Sequence, residues 1–252
     1  MKKIILLLLA PALMFGCKEN SPLSDVELNN PSLISPEITL TKHKNELGRT
    51  NTELVIYLND KNNNSIDLLK GSVSLNNKRL GVHSEVGGAP YYSLDHIELV
   101  PKRKYEIQIK LADEKTYPCT ICSPEVALGD LSVPEYHNMS SALVVRWEKL
   151  NESGTDYYLE LGNEDRTEEI KLSSIQTKVG SYAIPSDVLA LLTNGQRGDV
   201  LITLRSVTLG KIDPKFNGGS IQIIESVCKQ VTLGLEDSSM GEDKNYEAYD
   251  PN

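Results

Sequence analysis

The clearest strand pattern of the chain lies in Leu99-Val-Pro101-Lys-Arg-Lys-Tyr105-Glu-Ile-Gln-Ile-Lys-Leu111. In its second half, apolar side chains occupy every second position from Tyr105 to Leu111. Because the side chains of a strand point alternately to its two faces, this order predicts a half-buried β-strand over residues 104–111. A strand with one apolar face needs a second layer to cover it, so the stretch predicts a packed sheet.

The segments around this strand show similar short alternations, separated by turn residues. Asn59-Asp-Lys-Asn-Asn-Asn64, Asn76-Asn77 and Asp113-Glu114 supply the turns, because Asn and Asp favour the tight backbone conformations found there. The other predicted strands of this part are Glu37–Thr41, Glu53–Leu58, Gly71–Leu75, Tyr91–Leu94 and Thr116–Ile121. Six or seven short strands without a long helical pattern predict a β-sandwich over residues 34–125.

Leu99, Pro101 and Tyr105 sharpen this prediction. Their L-x-P-x-x-x-Y spacing resembles the tyrosine corner of fibronectin type III and other immunoglobulin-like sandwiches. The resemblance implies that Tyr105 begins a late strand and that its hydroxyl bonds back to the chain just upstream. The tryptophan common on an early strand of such domains is absent, since Val55-Ile-Tyr57 stands there. The likeness therefore supports a fold and no function.

A second group of strand-like segments follows the proline-bearing junction between residues 123 and 134. A strand ending in Trp147 and a tyrosine-rich strand follow Pro134, in an order similar to the opening of a fibronectin type III domain. The resemblance makes Trp147 a structural residue. The strands predicted here are Ala142–Trp147, Tyr157–Leu161, Ile170–Leu172, Ser181–Ile184, Val200–Leu209 and Ile221–Leu233.

One short helix is predicted between these strands, over Pro185–Leu192. Ser186 is the expected cap at its amino end, and Asn194-Gly195 follows its carboxyl end, where residues that tolerate a left-handed conformation are common. The whole chain is thus predicted to be all-β, with two tandem immunoglobulin-like β-sandwich domains. The first covers residues 34–125, and the second, which is fibronectin type III-like, covers 126–235.

Residues 1–16 have the charge–apolar–small order of an export signal. Two lysines precede an apolar run of twelve residues from Ile4 to Phe15, and Gly16 follows directly before Cys17. Twelve residues fall short of the roughly 20 that span a bilayer as a helix. The pattern therefore predicts a cleaved signal peptide, with an ordinary secretory signal or an uncleaved anchor as the alternatives.

A cysteine directly after a small residue resembles the lipobox of bacterial lipoproteins. The resemblance implies cleavage between Gly16 and Cys17 and attachment of a diacylglyceryl group to the Cys17 thiol. Residues 17–33, which carry two prolines and no sustained periodicity, then predict a flexible tether. A coil of this length reaches roughly 20–25 Å, enough to lift a domain clear of the headgroups.

The charge balance argues against a nucleic-acid partner. The chain has 26 basic and 35 acidic residues, and loss of residues 1–16 removes two lysines, which makes the net charge −11. A surface that binds phosphates needs clustered Lys and Arg. Residues 236–252 hold six acidic residues against one lysine and predict a disordered acidic tail.

Three cysteines remain besides Cys17, namely Cys119, Cys122 and Cys228. Cys119-Thr-Ile-Cys122 has C-x-x-C spacing, but the chain offers no second close pair of Cys or His for a tetrahedral zinc site. The pair also follows strand-like sequence rather than opening a helix, unlike a redox motif. Structural or incidental thiols are the main interpretation, with a disulfide among the three or a metal site as alternatives.

The familiar sequence motifs of catalysis do not occur in this chain. No G-x-S-x-G, G-x-x-x-x-G-K-[ST], H-E-x-x-H or G-x-G-x-x-G is present, so neither a catalytic group nor a cofactor is predicted. Residues 60–64 begin like a calcium loop, but Ser65 and Gly71 stand where glycine and glutamate are required. A polar hairpin turn explains them better. Each histidine is expected to be a surface or packing residue: His43, His83, His96 and His137.

Two tyrosine pairs, Tyr91-Tyr92 and Tyr157-Tyr158, lie in predicted strands. Each pair must then place one ring inward and one outward, because neighbouring side chains point to opposite faces. An outward tyrosine can stack on a sugar ring, although it is more often only a half-exposed sheet residue.

The overall layout is similar to that of Gram-negative surface or periplasmic lipoproteins, which often accompany TonB-dependent uptake systems. The resemblance implies an outer-membrane lipoprotein with a non-enzymatic binding or assembly role and an envelope protein or glycan as partner. A glycan-binding accessory module of nutrient uptake and a cell-surface adhesin are the alternatives. An enzyme is the third class, and it would need polar residues converging from several loops. Fold analogy alone does not choose among these.

Overall fold

The computed structural model describes residues 27–84, 88–148, 150, 154–163 and 167–234. The predicted signal, Cys17, most of the tether and the acidic tail lie outside the described residues. Within these ranges, the helices are too short to cross a membrane. The fold is all-β, and its strands form three sheets.

Two short 3-10 turns, Glu27–Asn29 and Pro31–Leu33, precede the first strand. The strands of the first half are β1 (Ser35–Lys44), β2 (Thr50–Asn59), β3 (Ser72–Leu75), β4 (Lys78–Arg79), β5 (Gly81–His83), β6 (Tyr91–Asp95), β7 (Lys104–Lys110) and β8 (Thr116–Cys122). The second half contains β9 (Leu131–Ser132), β10 (Tyr136–Asn138), β11 (Leu143–Trp147), β12 (Thr155–Gly162), β13 (Thr167–Lys171), α1 (Ser174–Val179), β14 (Ser181–Ile184), α2 (Ser186–Thr193), β15 (Gly198–Leu209) and β16 (Ser220–Gly234).

The first sandwich packs the strand order β1-β2-β6-β5 against the four-stranded sheet β4-β3-β7-β8. Strand β4 is an additional edge strand of the second of these sheets. The other seven strands divide as in an immunoglobulin-like domain, where one sheet holds the first, second, fifth and fourth strands and the other holds the third, sixth and seventh. The core is aliphatic, because the chain has few large aromatic residues. Fully buried members from the two sheets include Ile38, Leu40, Leu54, Ile56, Val73, Ile107 and Ile109.

The second sandwich packs the three-stranded sheet β14-β11-β9 against β13-β12-β15-β16. The short strand β10 runs parallel to the end of β16 and joins that edge. Helix α2 contributes Leu189 and Leu192 to the core, which also contains Trp147. The grouping of three strands against four is that of an immunoglobulin-like sandwich.

Strand β16 connects the two sandwiches. Its residues 222–233 pair antiparallel with the whole of β15, and its first eight residues pair in parallel with β1. The result is one nine-stranded sheet that runs through both sandwiches. Ile221 and Ile223 of β16 lie in the first core, whereas Val231 and Leu233 lie in the second. Since all four are odd-numbered, they share one face of the strand, and both cores lie on the same side of this sheet.

The segment between β15 and β16, residues 210–219, closes the open side of the first sandwich; we call it the closing arm. Lys211 exchanges two backbone hydrogen bonds with Thr120 of the edge strand β8, at 2.8 and 2.7 Å. Phe216 is buried against Tyr117, with ring centroids 5.5 Å apart. At Gly219, whose φ is +105°, a Cβ would lie 2.3 Å from the Pro36 carbonyl oxygen, so no larger residue fits. The arm therefore belongs to the first core.

A buried carboxylate holds the junction between the sandwiches. Glu225 of β16 accepts a hydrogen bond from the Leu128 backbone N–H at 3.2 Å and forms an ion pair with Lys42 of β1 at 3.3 Å. Lys44 pairs with Asp130 nearby and lowers the pKa of that carboxyl. The segment that joins the two sandwiches is thus bound to β16 through Leu128 and to β1 through Asp130.

The strands predicted from the sequence are present, with bounds that differ by a few residues. The sequence pattern did not predict β4, β5, β9, β10 or α1, because these elements are short and lack a run of alternating residues. The expectation of a Ser186 cap was wrong: Pro185 is the N-cap of α2, and no side chain caps that helix end. The division at residue 125 stays a prediction, but the first core also takes residues from the closing arm and β16.

Candidate functional site

Tyr105 has the hydrogen bonds that its motif predicts. The side chain is buried at the start of β7, and its hydroxyl accepts from the Val100 N–H and donates to the Glu98 carbonyl, each at 2.8 Å. Leu99 packs partly buried against the first core, and Pro101 lies exposed in the turn. These residues fix a corner of the fold and present no group for chemistry.

Trp147 ends β11 and lies in the second core, where it is 7% exposed. Its indole nitrogen is buried and has no hydrogen-bond partner among the residues that the structure describes. Burial of this donor costs free energy that the packing of the ring must offset. Trp147 therefore lies in the second core as a packing residue.

The three described cysteines are all free thiols, so a disulfide among them is not formed. Cys119 is buried and Cys122 exposed, because they lie three residues apart on β8 and point to opposite faces. Burial raises the pKa of the Cys119 thiol to about 11. The pKa of the Cys228 thiol is also raised, mostly by burial and to a smaller extent by the negative charge of Glu46. Such thiols are protonated and unreactive at neutral pH.

Asp60 organises the turn after β2. It accepts the Asn62 N–H at 2.7 Å and the Asn64 N–H at 2.9 Å, while Asn63 adopts a left-handed φ of +68°. Burial raises the pKa of Asp60, but these hydrogen bonds together lower it more. The carboxylate oxygens are thus engaged by the turn itself, which is the polar hairpin turn favoured by the sequence. Across the described residues, no cluster of three His, Cys, Asp or Glu side chains suited to a metal occurs.

The four histidines make separate local contacts. His43 Nδ1 lies 2.8 Å from the Ser226 hydroxyl, and His137 Nε2 lies 3.0 Å from the Ser141 carbonyl oxygen. His96 adopts a turn conformation with φ of +56°. His83 stacks on Tyr91, and only this histidine belongs to a larger side-chain group in the described ranges.

The outer face of the second sandwich carries an ionic network around Arg205. Its guanidinium pairs with Glu160 and Glu169 and lies 4.8 Å from the centre of the Tyr158 ring. Lys171 lies 5.6 Å from the same ring. Tyr157 is buried beneath, so this pair has one ring inward and one outward as predicted. The outward ring is covered by two cations.

A groove of about 460 Å³ adjoins this network, lined by residues of β12, β15 and β16 that include Glu160, Asp199, Thr203 and Gln230. Asp199 accepts a hydrogen bond from the Thr232 hydroxyl at 2.7 Å. The groove is shallow, and its exposed lining is more apolar than polar. Its acidic groups Glu160 and Asp199 are engaged with the neighbouring side chains of Arg205 and Thr232.

The outer face of the first sandwich carries three rings side by side, Tyr57 on β2, Tyr91 on β6 and His83 on β5, which we call the aromatic row. The centroids of Tyr57 and Tyr91 are 5.7 Å apart, and those of Tyr91 and His83 are 5.6 Å apart. Tyr92 is buried, so this second pair also has one ring inward and one outward as predicted. The sequence suggested the outward Tyr91 but not its neighbours, which become adjacent only through the strand register.

No protein-family model matches the chain, and a search of curated proteins found no match. Among solved structures, the chain is similar to the FN1–FN3 domains of chicken CNTN1, at 12% identity, with 81% of this chain and 66% of that chain covered and a TM-score of 0.24.

It is also similar to the Yersinia pseudotuberculosis adhesin InvE, at 15% identity, with 84% and 60% covered and a TM-score of 0.22. A third is SGBP-B of the Bacteroides ovatus mixed-linkage glucan utilization locus, solved with a mixed-linkage heptasaccharide, at 11% identity, with 82% and 62% covered and a TM-score of 0.19. At these scores the matches carry no argument about function. The strand topology of the described residues is what defines an all-β protein of immunoglobulin-like sandwiches.

Proposed function

We propose that this protein is a lipoprotein of the bacterial cell envelope, anchored through acylated Cys17, with a non-enzymatic binding or assembly role. The residues that suggest the anchor are the apolar run ending at Phe15 and the Gly16-Cys17 pair. Two or more acyl chains make membrane attachment stable where a single chain is marginal. The outer membrane is the proposed location.

The observation that carries the binding role is the nine-stranded sheet. Its inner face is covered by both cores, and its outer face presents the alternate side chains of all the main strands, from Tyr57 and Tyr91 at one side to Tyr158 and Arg205 at the other. A partner that meets this face meets one continuous, preformed surface. Rigid surfaces of this kind bind with little ordering cost.

The charge of the chain defines the class of partner. With a net charge of −9, the surface repels phosphate-rich polymers and favours neutral or basic ligands. An envelope protein or a neutral glycan is therefore the proposed partner.

Labelling with an alkyne fatty acid in a Gram-negative host tests the anchor. The wild-type chain is expected to be labelled and to sediment with membranes, whereas Cys17→Ala is expected to stay unlabelled and keep the precursor length. Cys122→Ala is the matched control, because its thiol is exposed in the folded chain and lies outside the signal. Equal labelling of Cys17→Ala and wild type would contradict the proposal.

The binding role is tested by crosslinking in intact cells. The acylated chain is expected to capture a specific envelope component, and the Cys17→Ala precursor is expected to lose it. Capture of nothing above background by either form would remove the support for a binding or assembly role.

A further inference from the structure

We propose that the aromatic row is a binding site for the sugar rings of a neutral glycan. This inference rests on the proposed binding role and assigns it a place and a class of ligand. The row lies on the outer face of the nine-stranded sheet, near the edge formed by β5. Neighbouring side chains Ile56 and Tyr92 are buried, so the strand alternation directs the three rings away from the core.

The geometry leaves the three rings partly accessible, since Tyr57 and Tyr91 are half-buried and His83 is exposed. The planes of Tyr91 and His83 differ by 26°, and their centroids are 5.6 Å apart. If ring atoms are in contact at about 3.5 Å, that centroid separation requires a lateral offset of about 4 Å, which exceeds a ring radius. Tyr57 is tilted by 39° to Tyr91, at 5.7 Å. The three rings therefore lie in a row along the sheet, with Tyr91 and His83 in an offset stack and Tyr57 tilted against Tyr91.

The face around the row carries polar groups beside the half-buried Val55. Glu37 is exposed and is the cross-strand partner of Tyr57, and Ser93 follows Tyr91 by two positions on the same face. A pyranose ring has one face of C–H groups and a rim of hydroxyls. Flat rings bordered by a carboxylate, a hydroxyl and two phenol groups match both parts of such a ligand, since tyrosine offers a rigid apolar body with a polar tip.

Other ligands that stack on aromatic rings fit this surface less well. A nucleotide brings phosphates, which the Glu37 carboxylate and the acidic chain repel. A protein interface has a core depleted of charged residues, whereas here an exposed carboxylate borders the first ring of the row. A neutral sugar meets neither obstacle.

Tyr158 of the second sandwich provides a matched contrast. It is also an outward tyrosine on a central strand of the same sheet, but Arg205 and Lys171 lie over its ring at 4.8 and 5.6 Å. Two cations with acidic partners occupy the place that a sugar would take. Within the described part of the chain, two cations lie over the ring of Tyr158 and none lies over that of Tyr91.

Affinity electrophoresis of the full chain in mild detergent tests the assignment. Native gels contain one neutral polysaccharide each: a β-glucan, an α-glucan, a mannan or a xylan. At least one gel is expected to retard the chain. Tyr91→Ala and Tyr57→Ala are each expected to weaken that binding about tenfold or more, since loss of one stacking ring has this effect on flat ligands. Tyr91→Phe is expected to retain it, and Tyr158→Ala is the control expected to bind as wild type.

Tyr91→Leu provides a second variant if Tyr91→Ala fails to fold, because it keeps an apolar side chain and removes the ring. Absence of retardation in all four gels, or retardation unchanged by loss of Tyr57 and Tyr91, would overturn the sugar site. Capture of a protein that depends on Tyr91, without retardation by any polysaccharide, would also overturn it. The anchor is judged separately by fatty-acid labelling at Cys17, so failure here is distinguishable from failure of the proposed function.

Discussion

Removal of the Tyr105 hydroxyl is the sharpest test of the first sandwich. The Tyr105→Phe change keeps the buried ring and deletes two hydrogen bonds, one to the Val100 N–H and one to the Glu98 carbonyl. Each such bond contributes about 0.5–1.5 kcal/mol net, so the free energy of unfolding should fall by about 1–3 kcal/mol. Tyr105→Ala also empties an aromatic site in the core and should cost about 3–5 kcal/mol.

Equilibrium unfolding of the full chain in urea measures both changes. Tyr117→Phe is the matched control, because Tyr117 is also buried in the first core, on the neighbouring strand, and its hydroxyl makes no hydrogen bond in the described part of the chain. It should cost less than Tyr105→Phe. A neutral Tyr105→Phe beside a costly Tyr117→Phe would refute the corner as the source of this stability.

Two further predictions concern the turn after β2 and the thiols. The pKa of Asp60 is lowered on folding, so the carboxylate contributes stability that is present above its unfolded pKa of about 3.9 and lost as pH falls through the lower folded value. Asp60→Ala should therefore reduce the free energy of unfolding at pH 7 and make no difference in strong acid, and equal effects at both pH values would contradict this origin. Among the described thiols only Cys122 is exposed. A thiol reagent should therefore modify Cys122 in the native chain and modify Cys119 and Cys228 only after unfolding. Rapid modification of Cys119 in the native chain would contradict the burial of its side chain.

The local part of this fold was predictable because strand alternation is a property of neighbouring residues. Tyr105 to Leu111 and the long run that became β16 were recognisable from their own sequence. The helix cap at Pro185 was misassigned because serine is a frequent cap and the choice between adjacent residues depends on backbone angles that the sequence does not display. Very short strands such as β5 carry too few residues for any period to be visible.

The non-local part was not predictable from one sequence. The parallel pairing of β16 with β1 joins residues more than 180 positions apart, Glu37 and Ser220 for example, and no local pattern encodes a partner at that distance. The same reason hid the aromatic row, whose members come from three strands. The close approach at Gly219 was equally invisible, since a glycine in a loop has many possible causes.

Strand β16 and the closing arm join the two sandwiches, so we expect the two sandwiches to unfold as one cooperative unit. Phe216 tests this expectation, because the residue lies between two strands of the second sandwich in the sequence while its ring is buried in the first core. Phe216→Ala should lower the free energy of unfolding by about 3–5 kcal/mol, whereas Leu209→Ala, at an exposed position at the end of β15, should change it by no more than about 0.5 kcal/mol.

Urea unfolding of wild type and Phe216→Ala, followed by two probes, measures this claim directly. The single tryptophan, Trp147, reports on the second core through its fluorescence, and hydrogen exchange of the β7 amides reports on the first. We expect the two probes to report one coincident transition in wild type. In Phe216→Ala, we expect the transitions seen by the two probes to shift equally to lower urea concentration. A shift of the β7 transition alone, with the Trp147 transition unchanged, would contradict this expectation and show two sandwiches that unfold independently.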